Sequence, residues 1–149
     1  MVLMANSSFL MQVRRERTVL GLEGAETENF LHNLVTADIL GLAQGAARYA
    51  ALLTPQGKIL FEFFVVKTPV GYLLETALAQ TAALAKRLAM YKLRAKVEIK
   101  DAAGEVVVAA SVGGVRARPQ GAIAFVDPRS ERLGDRLLIP APMVGEIVG

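Results

Sequence analysis

Residues 45–67, GAARYAALLTPQGKILFEFFVVK, contain the pattern that decides how this chain folds. Residues 45–54 and 58–67 are rich in strand-forming residues, and the sequence TPQG (residues 54–57) separates them. Proline at the second position and glycine at the fourth are typical of a type I turn, so the stretch predicts a β-hairpin. The second strand is almost entirely apolar, which predicts a central strand buried on both faces.

Patterns on either side of the hairpin predict further strands and two main helices. Apolar residues at helical spacing predict helices over residues 25–35 and 77–93. Short runs bounded by turn residues predict strands at residues 9–13, 18–22, 72–75, 96–100, 106–112, 122–126 and 135–139. Because helices and strands do not alternate strictly, we expect an α+β fold with mixed or antiparallel sheets.

The composition excludes several classes of site. The chain has 149 residues, of which 53% are hydrophobic and 21% charged, as expected of a folded chain rather than a disordered one. It has no cysteine and a single histidine, His32, so we expect no disulfide, no thiol nucleophile and no metal site. The sequence also lacks the G-x-S-x-G pattern and the glycine-rich patterns that bind phosphates.

No targeting or membrane-spanning segment is predicted. Residues 1–13 lack the basic region and the long apolar run of a secretory signal. No uninterrupted apolar run reaches the length of about 18 residues that suggests a spanning helix. We therefore expect a cytoplasmic chain that does not cross a membrane.

Basic residues are concentrated in the middle of the chain, whose net charge is +3. Within residues 86–100 a single acid, Glu98, opposes these cations: Lys86, Arg87, Lys92, Arg94, Lys96 and Lys100. Such a cluster can attract nucleic acid or an acidic small-molecule tail, and it is also typical of a solvated helix face. Aromatic residues are not interleaved with these charges, so a base-stacking platform is not predicted.

Glu62 is the candidate functional residue that physical reasoning alone singles out. It is a carboxylate inside an apolar run, residues 59–66. A buried carboxylate must be hydrogen-bonded, paired or protonated, and enzymes use such burial to tune an acid. The alternative is that Glu62 faces solvent on an edge strand or pairs with a nearby cation.

Four stretches, taken in order, resemble one family. Residues 20–45, LGLEGAETENFLHNLVTADILGLAQG, resemble the opening of the folate-binding proteins related to the glycine cleavage T-protein. Residues 50–60, AALLTPQGKIL, resemble the hairpin that follows in that group. Residues 86–97, KRLAMYKLRAKV, and residues 127–134, DPRSERLG, resemble segments of its YgfZ branch.

This resemblance implies a T-protein-like α+β fold and a tetrahydrofolate ligand. YgfZ-like proteins act in iron–sulfur cluster assembly or repair and affect the maturation of a tRNA-thiolating enzyme. T-proteins themselves are aminomethyltransferases, so a folate-dependent one-carbon transferase is the alternative activity. A third alternative is a module that dimerises or docks to a partner without a ligand.

The resemblance also implies roles for individual residues. Glu62 lies where T-proteins carry the acid that contacts the folate and assists catalysis, and Tyr49 lies where some place a tyrosine against the pterin. Phe64 and Val66 share a strand face with Glu62 and would form apolar walls for the ring. Arg94, in the basic cluster, would attract the glutamate tail of the folate.

Two departures from the family limit what can be carried over. The acidic pair of T-proteins is Phe61-Glu62 here, so one carboxylate is missing. The K-G-C-[FY]-x-G-Q-E motif of YgfZ-like proteins is absent, so residues 1–149 correspond to the front half of the family. This half is expected to form one region or two small subdomains, about 1–95 and 96–149.

The missing motif leaves the origin and the partners of the chain open. The chain could be a short paralogue, a fragment, or a half-protein that pairs with a second chain. The partners implied are folate, iron–sulfur proteins, a chain that supplies the missing half, or a second copy. Weak contact with tRNA is compatible with the basic cluster.

Overall fold

The computed structural model describes residues 2–6, 9–112 and 118–144. The strands in this part of the chain are β1 (Val2–Asn6), β2 (Phe9–Val13), β3 (Arg17–Glu23), β4 (Ala47–Leu53), β5 (Ile59–Lys67), β6 (Gly71–Ala77), β7 (Glu98–Asp101), β8 (Val106–Val112), β9 (Ile123–Val126) and β10 (Asp135–Pro140). The helices are α1 (Thr27–Leu34) and α2 (Thr81–Lys92), with short 3-10 turns at Leu78–Gln80, Glu131–Leu133 and Ala141–Met143. The predicted α+β class with two main helices is confirmed.

The strands form two five-stranded sheets. Sheet 1 has the order β1-β2-β8-β10-β9, and sheet 2 has the order β4-β5-β6-β3-β7. Every strand pair in both sheets is antiparallel. Both sheets take strands from either side of residue 95, because β2 pairs with β8 and β3 pairs with β7.

The predicted hairpin is confirmed as β4 and β5, joined by a tight turn. The Thr54 N–H donates to the Lys58 carbonyl at 2.8 Å, and the Gly57 N–H donates to the Thr54 carbonyl at 2.9 Å. Gly57 has a φ of +87°, a left-handed conformation that glycine adopts without the steric cost of a Cβ. The glycine at the end of the turn is therefore required by the backbone.

Sheet 2 lies between the helices and sheet 1. On one face, Leu31 of α1 and Leu84 and Leu88 of α2 join a core with Phe63 and Val65 of β5. On the other face, a second core links sheet 2 to sheet 1, formed by Val19, Phe64, Val66, Ala102, Val108, Phe125 and Leu138. Successive residues of β5 therefore alternate between the helix layer and sheet 1, as the pleat requires.

The prediction that β5 is buried on both faces is wrong for the first half of the strand. Burial is complete only from Phe63 to Val66, whereas Ile59 is 61% exposed and Glu62 is also exposed. Strand β5 is not an edge strand, because β4 and β6 flank it. Glu62 shares the face of Phe64, and the cover that sheet 1 provides ends between these two residues.

Helix α2 is shorter than the predicted span of residues 77–93. Strand β6 continues to Ala77, which pairs with Arg17 of β3, so the helix begins only at Thr81. The Thr81 hydroxyl donates to the Ala77 carbonyl at 3.1 Å. At the other end Leu93 leaves the helical conformation with a φ of 48°.

Candidate functional site: a tyrosine–carboxylate pair above a buried ion cluster

Tyr49 and Glu62 form a hydrogen-bonded pair on the face of sheet 2 that is directed toward sheet 1. The register pairs Tyr49 with Phe64 and Ala51 with Glu62, so Tyr49 and Glu62 are diagonal neighbours. The Tyr49 hydroxyl donates to Glu62 Oε1 at 2.6 Å. Tyr49 is 38% exposed and Glu62 is exposed, so the pair is open to solvent.

The pKa of the Tyr49 phenol lies above its ordinary value. The hydrogen bond to Glu62 is the main cause, since it favours the neutral phenol as donor. Burial and the negative charge of Glu62 add to this effect, and the charges of Arg129 and Arg17 oppose it. The pair therefore consists of a neutral phenol that donates to the carboxylate.

The Phe64 ring and the Arg129 guanidinium group pack against the Tyr49 ring. The rings of Tyr49 and Phe64 lie 5.4 Å apart, and the Arg129 guanidinium carbon lies 5.6 Å and 5.0 Å from their respective centres. The Arg136 guanidinium carbon lies 4.7 Å from the Phe64 centre. Both distances to Phe64 are within the range of cation–π attraction, so the two arginines fix this ring.

Asp127 holds Arg129 in this position. Its carboxylate accepts from Arg129 Nε at 3.0 Å and from Nη2 at 2.8 Å, the forked geometry of a strong ion pair. Burial alone would raise the pKa of Asp127, but the hydrogen bonds from Arg129 and the charges of Arg129 and Arg136 outweigh it, and the pKa is lowered. Asp127 therefore carries its charge inside the protein.

Glu75 lies at the centre of the ion cluster and is completely buried. Arg17 Nε, from the neighbouring strand of sheet 2, donates to Glu75 Oε1. Arg136 Nη2, from sheet 1, lies 3.2 Å from Glu75 Oε2 without the alignment of a hydrogen bond. Glu75 therefore lies within ion-pair distance of one arginine from each sheet.

The charges of this region balance when the exposed pair is included. The cluster proper has three guanidinium groups, on Arg17, Arg129 and Arg136, and two carboxylates, on Glu75 and Asp127. The cluster therefore has one positive charge in excess. The exposed carboxylate of Glu62, the partner of Tyr49, supplies one negative charge beside it. The excess positive charge of the cluster therefore favours a carboxylate at position 62.

A shallow cleft of about 300 Å³ opens beside Glu62. It is lined by residues 59–62 of β5, with Arg17 and Thr76 among the remaining lining residues. The Thr76 hydroxyl donates to the Glu62 carbonyl at 3.0 Å, which fixes the backbone there. The cleft thus offers one carboxylate, one guanidinium group and an apolar edge to a bound molecule.

The structure brings together three of the five residues proposed from the sequence. Tyr49, Glu62 and Phe64 form one group, although Phe64 is buried and cannot line an open site. Val66 lies farther along the same face and is fully buried between the sheets. Arg94 follows α2, which packs on the opposite face of sheet 2, so it does not join the group.

Sequence reasoning missed the ion cluster of this site. Glu75 lies in the apolar strand sequence GYLLETA of β6, the same signal that singled out Glu62. Asp127 and Arg129 belong to the DPRSERLG stretch, whose resemblance was noted without assigning a role. Arg136 has no local signal, because its importance depends on the packing of sheet 1 against sheet 2.

Similarity searches relate the chain to curated proteins over most of its length. No family model matches the chain. It is 29% identical over 137 residues to "Iron-sulfur cluster assembly factor IBA57 homolog, mitochondrial" of Pyricularia oryzae, covering 85% of this chain and 34% of that protein. It is 30% identical over 145 residues to "Iron-sulfur cluster assembly factor IBA57, mitochondrial" of Mus musculus, covering 82% of this chain and 40% of that protein. The chain therefore spans between one third and two fifths of the length of these relatives.

Two solved structures share the fold. The glycine cleavage system aminomethyltransferase T from Bartonella henselae has a TM-score of 0.73 at 15% identity, over 93% of this chain and 44% of that chain. The fold is T-protein-like. A chain of the heterotetrameric sarcosine oxidase from Corynebacterium sp. U-96 has a TM-score of 0.57 at 17% identity, over 98% of this chain and 83% of that chain. At these identities the likeness establishes the fold alone.

The expectation of a cytoplasmic chain is contradicted by these comparisons. Both curated relatives are named as mitochondrial proteins. The expectation rested on the lack of a secretory signal and of a membrane-spanning segment, and neither feature distinguishes the cytoplasm from the interior of an organelle. Within the described residues, no helix combines the length and the apolar character that crossing a bilayer requires.

Replacing Glu75 tests whether the ion cluster holds the two sheets together. We expect Glu75→Gln to lower the free energy of unfolding by about 3–5 kcal/mol, because it removes the buried counter-charge of Arg17 and the nearer of the two carboxylates beside Arg136. Urea unfolding at neutral pH measures the change. Glu16→Gln is the matched control, since Glu16 pairs with Arg14 in solvent and should change stability by less than about 1 kcal/mol. Equal effects of the two substitutions would contradict the role of Glu75.

The Tyr49–Glu62 hydrogen bond has a consequence for titration. We expect Glu62→Gln to lower the pKa of Tyr49 toward its ordinary value, because the carboxylate that favours the neutral phenol is removed. NMR spectra of tyrosine-labelled protein, recorded while the pH is raised, resolve each phenol. Tyr72 is the internal control, since burial and then the charge of Glu28 raise its pKa to about 12 independently of Glu62. An unchanged pKa of Tyr49 in the variant would exclude the hydrogen bond in solution.

Proposed function

We propose that this chain acts as part of an iron–sulfur cluster assembly factor of the IBA57 type. The observation that carries the proposal is its similarity to two curated proteins of that name, which extends over 82% and 85% of this chain. The T-protein-like fold supports it, since the sequence motifs resemble the YgfZ branch of that fold. The implied partners are the proteins that give or receive the clusters, and the role in tRNA modification stays a prediction.

We further propose that the chain binds tetrahydrofolate in the cleft beside Glu62. A pterin presents several N–H donors, and the exposed carboxylate of Glu62 can accept them. Tyr49 occupies Oε1 only, and within the described part of the chain no hydrogen bond reaches Oε2. The acceptor chemistry of Glu62 therefore fits the ligand.

The apolar walls of this site differ from those that the resemblance suggests. Phe64 and Val66 are buried between the sheets, so neither can contact a ligand in the cleft. Phe61 packs against the helix-layer core, so Ile59 and Leu60 at the start of β5 line the cleft instead. The ring of the ligand would lie against these two side chains, with its polar edge toward Glu62.

Binding rather than catalysis is the role we assign to Glu62. Tetrahydrofolate carries one-carbon units, and that chemistry belongs to the ligand. Tyr49 orients the Glu62 carboxylate, and the carboxylate holds the polar edge of the ring. The second acid of T-proteins is Phe61 here, and the aminomethyltransferase neighbour establishes only the fold. Aminomethyl transfer thus has no support from a particular observation.

Calorimetry with tetrahydrofolate under anaerobic conditions tests the ligand. We expect Glu62→Gln to weaken binding at least tenfold, because a hydrogen bond to a charged group contributes about 1.5–3 kcal/mol. Glu105→Gln, at an exposed glutamate beside β8, is the control and should leave the affinity unchanged. The absence of binding heat from the folded wild-type chain would exclude the folate proposal without touching the assembly role.

Genetic replacement tests the assembly role. In mouse cells depleted of IBA57, we expect a chimera to restore the activities of iron–sulfur enzymes. In this chimera, the region of the mouse protein that matches this chain is replaced by it. The chain alone should not restore them, since it spans 40% of that relative. A chimera carrying Glu62→Gln separates the two proposals. If assembly does not require folate binding, this chimera restores the activities of iron–sulfur enzymes as well as the unsubstituted chimera does. A soluble, folded chimera that restores nothing would contradict the assembly role.

A further inference from the structure

The end of helix α2 presents apolar side chains to solvent. Met90 is 59% exposed, Tyr91 is 40% exposed and Leu93 is 80% exposed. Among the described residues, Leu93 is the one residue other than glycine with a positive φ, 48°. This conformation is unfavourable for a residue with a Cβ, and the exposed leucine gains nothing from burial.

An apolar cleft lies directly beside this helix end. Its volume is about 420 Å³, within the range of pockets that take small molecules or large side chains. Tyr91 forms one wall, and Leu34, Leu53 and Pro55 are among the other lining residues. A register shift between Leu52 and Leu53 in β4 places both leucines along the cleft. The cleft is therefore built from α1, the β4–β5 hairpin and α2 together.

Cations without ion pairs lie on α2 and in the segment after it, close in sequence to Tyr91 of the cleft. Within the described part of the chain, none of these five has a carboxylate partner: Lys86, Arg87, Lys92, Arg94 and Lys96. Glu26 accepts a hydrogen bond from the backbone N–H of Lys96, which leaves the Lys96 ammonium group unneutralised. By contrast, Lys67 of β5 and Lys100 of β7 have acidic partners.

We propose that this surface, defined by the cleft at Tyr91 and the five cations, binds a short acidic segment of a partner protein. A large apolar side chain of the segment enters the cleft, and the carboxylates on either side of it meet the cations. An apolar centre with a charged rim is the usual composition of a protein interface, in which methionine, tyrosine and arginine are enriched. Charge complementarity thus selects the partner, and the cleft fixes its position.

Two other polyanions fit the same surface less well. Nucleic acid bases stack on flat aromatic platforms, and the single aromatic residue here, Tyr91, forms the wall of a cleft. A membrane would require the apolar stripe of α2 to enter the lipid, but Leu84 and Leu88 of that stripe are fully buried in the core. A protein segment therefore accounts for the cleft and the charges together.

This surface is independent of the folate proposal. Tyr49 and Glu62 lie on the face of sheet 2 that is directed toward sheet 1, whereas α2 packs on the opposite face. A ligand on one face does not compete with a segment on the other. The two proposals can therefore fail separately.

An NMR titration of the isotope-labelled chain tests the proposal. The probe is a synthetic peptide with one central phenylalanine flanked on each side by three acidic residues. We expect it to shift the amide signals of Leu34, Leu53, Tyr91 and Leu93 with submillimolar affinity. A peptide with serine in place of phenylalanine should bind at least tenfold more weakly. No shifts at these residues, or equal binding of both peptides, would overturn the proposal.

Substitutions separate this surface from general electrostatics. The double variant Arg87→Glu, Lys92→Glu should weaken peptide binding at least tenfold, whereas Arg15→Glu, at an exposed cation elsewhere, should have little effect. Leu93→Gly should weaken binding without lowering the melting temperature, because glycine adopts the positive φ freely. If Leu93→Gly binds the peptide as well as the wild type does, Leu93 has no part in docking.

Three further measurements identify other occupants. Stronger binding of a tRNA than of the peptide at these residues, or binding of phosphatidylserine vesicles without the peptide, would overturn the choice of a protein partner. Light scattering of the wild type and of Leu93→Asp reports self-association. A dimer that Leu93→Asp dissociates would assign the surface to a second copy of the chain instead.

Discussion

The rest of the structure depends on the two ion pairs that the buried carboxylate of Glu75 forms. It lies on sheet 2, and its two cationic partners come from different sheets, Arg17 from sheet 2 and Arg136 from sheet 1. The apolar contacts between the sheets lack direction and would tolerate a sliding of one sheet over the other. A buried charge tolerates no such change, because losing one partner leaves an uncompensated ion. We infer that Glu75 sets the relative position of the sheets.

The Tyr49–Glu62 pair acquires its geometry from the ion cluster around Glu75. Arg136 is positioned by Glu75, lies 3.9 Å from Asp127, and packs over the Phe64 ring. Asp127 holds Arg129, and Arg129 lies over Tyr49, whose hydroxyl orients Glu62. Each step joins a cation to an anion or to an aromatic ring, so a flexible surface carboxylate acquires one preferred orientation. Pre-organisation of this kind lowers the entropy that a ligand must overcome on binding.

Local patterns in the sequence predicted the strands and helices well, and the long-range pairings poorly. The β4–β5 hairpin and both helices follow from turn residues and periodicity, which act over a few residues. The pairing of β2 with β8, and of β3 with β7, joins segments far apart in the chain and has no local signal. The same difference explains the two glutamates. Glu62 and Glu75 look alike in sequence, and only the extent of sheet 1 decides that one is exposed and the other buried.

Strand β4 connects the two surfaces proposed here. Tyr49 of β4 belongs to the Tyr49–Glu62 pair on one face of sheet 2. The register shift near the end of β4 places Leu53 at the apolar cleft beside Tyr91. The two faces differ electrostatically, since the charges around Glu62 balance on one, whereas cations without ion pairs lie on and after α2 on the other. An acidic partner segment would be attracted to the end of α2 rather than to the balanced charges beside Glu62, so charge directs this segment to one face. Tyr49 and Tyr91, one at each surface, are therefore the positions at which ligand binding and partner binding can be separated.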